Sequence, residues 1–125
     1  MSGVFTISLD YELLWGGIEK RSPEDYGQSN VRHVSAVLDG LLSLFEKYGV
    51  HATIATVGLI MTNNVEEAYT WAPELKPSYK KIDLSPYNNN YIDNIKKENE
   101  FLYFAPDSVR NLQRYDNIEI ATHTF

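Results

Sequence analysis

The spacing of apolar positions changes several times along the chain, and each change marks a predicted element. Val4-Phe5-Thr6-Ile7-Ser8-Leu9 mixes β-branched and aromatic residues and stops at the acids Asp10 and Glu12. That pattern predicts a buried first strand with Asp10 at its C-terminal end. From Asn30 to Tyr48, Val34, Val37, Leu38, Leu41, Leu42 and Phe45 recur at helical spacing, as a stripe turned towards a sheet. Ser29 or Asn30 suits the start of this helix, and Gly49 suits a left-handed end. His51-Ala52-Thr53-Ile54-Ala55-Thr56-Val57 follows, small and β-branched throughout and closed by Gly58. This composition fits a central parallel strand covered on both faces. Strand, helix and strand in this order make a βαβ unit, for which a right-handed crossover is expected.

The pattern loosens from Met61 to Phe104, where Pro73, Pro77 and Pro86 interrupt it, Asn88-Asn89-Asn90 reads as a turn, and half of the aromatic residues gather. An ordered insertion with short helices is expected there. Pro106 then suits the first turn of a further helix, with Asp107 at its positive end and Val109 and Leu112 on its buried side. Ile118-Glu119-Ile120-Ala121 is a predicted third strand that hands over to Thr122-His123-Thr124-Phe125. The fold class is therefore α/β, with about three parallel βα units in one domain spanning residues 1–125 and no internal repeat or linker.

Composition narrows the chemistry. The chain has no cysteine, so a metal would have to sit on His, Asp and Glu. The formal charge is −6, and the lysines and arginines form no stripe, which argues against a nucleic-acid partner. No apolar run approaches the ~20 residues of a membrane span. The N-terminus also lacks a basic segment followed by an apolar stretch and cleavage site. A cytoplasmic protein is expected.

In parallel α/β folds, reactive groups gather where strands end. Asp10 and Glu12 follow the first predicted strand and His123 follows the third. Asp10 and Glu12 are two residues apart, so both project the same way if the extended conformation persists to Glu12. One carboxylate could hold a metal while the other takes a proton from water acidified by it. Each residue also has a bland reading: an acid at a strand end commonly caps a turn, and a lone histidine is commonly structural. His33 and His51 are read as structural or surface residues. Trp15, followed by Gly16-Gly17, is a candidate for shaping a substrate cleft or for covering a tight turn.

Taken together, Ser8-Leu9-Asp10-Tyr11-Glu12, Ala52-Thr53-Ile54-Ala55-Thr56-Val57-Gly58 and Glu119-Ile120-Ala121-Thr122-His123-Thr124-Phe125 resemble the three strand-end motifs of the NodB-homology polysaccharide deacetylases. Leu13-Leu14-Trp15-Gly16 and Phe101-Leu102-Tyr103-Phe104-Ala105-Pro106 further resemble a cytoplasmic subgroup associated with surface-polysaccharide biosynthesis. The resemblance implies a distorted (β/α)7 barrel, of which this chain is the N-terminal part with an aromatic-rich insertion. It implies a divalent metal, zinc, and an N-acetylated sugar or polysaccharide as substrate. Asp10 matches the family's catalytic base and His123 the first of its two metal-binding histidines. The second acid is displaced by one position, with Tyr11 where the common motif has its metal-binding Asp. Glu12 is assigned to the metal, the alternative being that Asp10 binds it and Glu12 orients water. Trp15 is assigned to substrate.

The family's second histidine would come four residues after His123, and its arginine and general acid later still. The 125-residue chain is therefore expected to bind metal weakly and to be inactive alone. It is also expected to self-associate as a homo-oligomer through exposed sheet edges and apolar strand faces. Two other readings stay open: a metal-independent cyclic-amide hydrolase or a glycosidase on a related barrel, and a non-catalytic assembly or binding remnant. Trp71, Tyr79, Tyr87 and Tyr91 could stack on sugar rings or, as aromatics more often do, pack the insertion onto the domain.

Overall fold

A strand reaches only as far as its partner, and that sets the length of the first one. In the computed structural model, which describes residues 3–85, 87 and 91–123, β1 is Ser8–Tyr11. It pairs in parallel with β2, Ala52–Thr56, from Ser8↔Thr53 to Tyr11↔Thr56. The predicted strand over Val4–Leu9 is thus shifted towards the acids. Because β2 starts at Ala52, pairing stops at Thr53 N–H→Ile7 O (2.9 Å). Val4 and Phe5 lie beyond it, 90% and 88% exposed. Asp10 consequently sits inside the strand rather than after it.

β2 is central, paired on its other side with β3, Ile118–Thr122, again in parallel, to give the order β1-β2-β3. Leu9, Ile54 and Ile120 share one register and one face. That face packs on α1 (Val34–Tyr48) and α3 (Pro106–Leu112) through Leu38, Leu42, Val109 and Leu112. The two helices touch each other, with Ser108 Oγ donating to Ser35 Oγ (3.1 Å) and Asn111 Nδ2 to Asp39 Oδ1 (3.0 Å). Both therefore cover the same face of the sheet. The opposite face carries Ser8, Asp10, Thr53, Ala55, Glu119 and Ala121, all exposed or half-exposed. The expectation that β2 is covered on both faces is corrected: one face is covered, and the other presents small and polar side chains.

α1 shows a similar partial correction. Leu38 and Leu42 are buried, whereas Val37 is 58% exposed, so the sheet-facing stripe is narrower than its apolar pattern suggested. Neither Ser29 nor Asn30 caps it. A 3-10 turn over Val31–His33 precedes α1, and the Ser29 hydroxyl is spent on Asp25 O and Asn30 Oδ1. The C-terminus follows expectation: Gly49 has φ 63° and its N–H reaches the carbonyls of Glu46 and Phe45. Replacing Gly49 by Ala forces a Cβ into that left-handed conformation. It should destabilise the domain by about 1 kcal/mol, read from the denaturation midpoint.

The insertion is ordered through short elements, including α2 (Val65–Thr70) and a 3-10 helix over Lys97–Leu102. α2 is capped from both directions: Asn64 Oδ1 accepts from Glu67 N–H (2.9 Å), and Glu67 Oε2 accepts from the Asn63 backbone and side chain. The donors on Asn63 hold the Glu67 carboxyl below the usual range. Tyr69 donates to Asp93 Oδ1 (2.6 Å), which pushes its phenol up to about 12. Leu102, Tyr103 and Phe104 anchor the insertion in the core, and Tyr87 and Tyr91 are half-buried. Trp71 is 63% exposed, so its ring does not pack the insertion down. The Asn88-Asn89-Asn90 turn and Pro86 lie outside the described residues. Among the described residues, no helix is long and apolar enough to cross a membrane.

Candidate metal centre

The parallel register brings the C-terminal ends of β1 and β3 to the same end of the sheet, either side of the end of β2. His123 extends the ladder one residue past β3, its N–H donating to Thr56 O (3.1 Å), just as Val57 N–H donates to Tyr11 O (3.1 Å). Asp10 points to the open face and Tyr11 to the covered one. The three predicted residues therefore meet: one ligand atom each from Asp10, Glu12 and His123 lies within 4.8 Å of the others.

Glu12 reaches this cluster by a route not legible in its spacing from Asp10. The extended conformation ends at Glu12 itself (φ −120°, ψ −18°). Leu13 then takes a left-handed φ of 51°, strained for a residue with a Cβ by about 1–2 kcal/mol. This kink opens the 3-10 helix Leu13–Gly17 and folds it back, with Trp15 N–H bonded to Glu12 O (3.1 Å). Gly16 ends up against the Glu12 carboxylate, and a Cβ there would run into Glu12 Oε2. Gly16→Ala should therefore push the carboxylate aside and weaken metal binding about tenfold, the size expected for disturbing a ligand's support. Titration with zinc, beside an unchanged far-UV spectrum, checks it.

The imidazole of His123 lies between the two carboxylates, with Nδ1 3.4 Å from Glu12 Oε1 and Nε2 3.8 Å from Asp10 Oδ2. Both distances exceed a hydrogen bond. An ion takes only one of the two ring nitrogens, and with one ligand atom chosen from each residue the three lie within 4.8 Å of one another. An imidazole with carboxylate oxygens and no thiolate is a donor set that divalent zinc accepts. The donor chemistry of the three residues is compatible with a divalent cation. The side chains differ in setting: Glu12 is 27% exposed and propped by Gly16, whereas Asp10 is 59% exposed on the open face. The half-buried acid is the more firmly held of the two, and the exposed one is open to solvent.

Trp15 is held from behind. Its Nε1–H donates to Tyr103 O (2.8 Å), and its ring meets Tyr103 edge-on at 5.3 Å and Phe104 at 6.2 Å. This ties the insertion to the turn carrying Glu12 and leaves the ring half-buried. The Tyr11 hydroxyl, on a residue 4% exposed, is buried with no hydrogen-bond partner among the described residues. Its position between the two acids gave no sign of that. A groove of about 200 Å³ opens beside the cluster, lined by Asp10, Glu12, Leu13, Tyr26 and Asn30 among others. His33 and His51 are exposed, and His51 borders a separate cavity at the other end of the strands. Thr124 and Phe125, the end of the third motif, lie outside the described residues. No protein-family model, curated protein or solved structure matches the chain.

Proposed function

We propose that this chain carries part of the hydrolytic centre of a metal-dependent deacetylase, with zinc as the metal, that removes N-acetyl groups from a sugar or polysaccharide, and that the chain alone does not complete the reaction. The observation that carries the reading is His123 seated between Asp10 and Glu12 at the ends of two parallel strands. Glu12 and His123 would hold the ion, the alternative being that Asp10 binds it and Glu12 orients water. A bound divalent ion supplies polarisation of the amide carbonyl and acidification of water. Asp10 accepts the proton of the attacking water on its carboxylate, which requires only an exposed oxygen near the cluster. The open sheet face on which Asp10 lies carries the small and polar residues Ser8, Thr53 and Ala55. The sugar itself rests on the resemblance of the three strand-end motifs. Sequential strand order with both helices on one face supports reading the sheet as three βα units of a barrel.

The glycosidase alternative fits less well. Inverting enzymes separate their carboxylates by about 6.5–9.5 Å, wider than this cluster, and neither glycosidase type needs an imidazole between the two acids. Acetate and new reducing ends, both measured after incubating an N-acetylated hexosamine oligomer with a zinc-loaded protein in which this chain is extended by the second histidine, arginine and general acid that the resemblance implies, separate the readings. Acetate without new reducing ends, abolished by a chelator and restored by zinc, is expected. New reducing ends without acetate would contradict the proposal.

A further inference from the structure

Helix α1 has two apolar stripes, and the described fold uses one. Leu38 and Leu42 face the sheet. Val34, Val37, Leu41, Leu44 and Tyr48 form a second stripe at alternating spacings of three and four. Val37, Leu44 and Tyr48 are 58%, 50% and 68% exposed, with Val34 and Leu41 half-buried. α3 holds the opposite flank of α1 through Ser35 and Asp39. The stripe therefore overhangs the free edge of β1, above an apolar groove of about 210 Å³ lined by Leu9, Val37, Leu41 and Ile54. Gly40 flanks it in mid-helix, where a Cβ would meet nothing within 4 Å. A helical glycine costs about 1 kcal/mol relative to Ala, and no contact among the described residues uses its bareness.

A three-four repeat is what another helix reads, and a bare glycine beside it permits close approach. The stripe is also nearly palindromic: Val34 and Tyr48 lie seven residues either side of Leu41, with Val37 and Leu44 between. An antiparallel copy meets it with the same residues, as a twofold interface requires. The acids Asp39 and Glu46 fall one heptad apart on the flank turned to α3, so the chain's net charge of −6 is not concentrated at the stripe. The strand edge agrees. Ile7 O and Tyr11 O accept from β2, leaving the backbone groups of Ser8 and Asp10 directed to the free edge. With strands about 4.8 Å apart, a twofold axis at that edge puts two copies of α1 about 10 Å apart, the upper end of helix packing distances.

We infer that the chain forms a twofold dimer in which α1 packs antiparallel against α1 of a second copy, alongside a β1–β1 pairing. One helix stripe and one short strand bury less than the ~800 Å² per partner of a standard interface. The dimer is therefore weak, and sedimentation equilibrium should show it in chain concentrations of about 100 µM and above. Val37→Glu combined with Leu44→Glu, at positions already half in solvent, should weaken it at least tenfold with an unchanged thermal midpoint. Because the chain lacks cysteine, a single Leu41→Cys substitution reports geometry: oxidation should cross-link it readily, and Tyr48→Cys should not cross-link. A monomer at every concentration would overturn the inference. So would open-ended oligomers, a dimer indifferent to the paired glutamates, or equal cross-linking at both positions.

Discussion

Glu12→Gln lowers the zinc affinity of the chain by at least about 100-fold, and His123→Ala does the same. Disturbing a ligand's outer support typically costs 10–100-fold, and removing the ligand itself costs more. Glutamine keeps the size of Glu12 and its place against Gly16, so the loss is of charge and donor strength rather than of packing. His123 provides the imidazole of the cluster, and its backbone N–H, which continues the β3 ladder to Thr56 O, survives substitution. Both variants should keep the parent's thermal midpoint in the absence of metal. Titration calorimetry with zinc on the three proteins checks this, and unchanged affinity in either variant would remove that residue from the site.

Asp10→Asn behaves differently. In the extended protein it should slow acetate release by about 10²–10⁴, the usual contribution of a general base, while zinc affinity changes only a fewfold. Asp10 is more exposed than Glu12 and its oxygen lies farther from the imidazole, 3.8 Å against 3.4 Å. These differences suit a proton acceptor beside the ion. If zinc affinity instead falls as far in Asp10→Asn as in Glu12→Gln, the roles are exchanged or shared: Asp10 is then a ligand, and Glu12 orients water. The two readouts together separate these arrangements, which turnover alone would not.

How much of this was legible in the sequence depended on what fixes each feature. The central strand and α3 are set by local pattern, and Ala52–Thr56 and Pro106–Leu112 appear close to where composition puts them. β1 was misplaced because an apolar run such as Val4–Ile7 says that a segment can be extended, while only a partner decides that it is. α1 misled in a related way: one helix with two apolar stripes cannot reveal from spacing which of them meets the sheet. The cluster of Asp10, Glu12 and His123 was foreseen because strand ends in a parallel sheet converge. The means by which Glu12 joins it was not. The left-handed Leu13 breaks the alternation on which the expectation rested, and a leucine carries no signal for positive φ. Gly16 did carry a signal, as a glycine after Trp15, but its use as a seat for a carboxylate needs three-dimensional proximity.

Zinc-edge X-ray absorption on the zinc-loaded chain tests the central claim most directly, because it reads the ligands rather than the consequences of losing them. The account predicts a first shell of oxygen and nitrogen at about 2.0–2.1 Å, with the outer scattering of a single imidazole that disappears in His123→Ala. An imidazole signal that persists in His123→Ala would place the ion on His33 or His51 and contradict the proposed centre. An absence of imidazole scattering from the unaltered chain in the presence of excess zinc would contradict it equally.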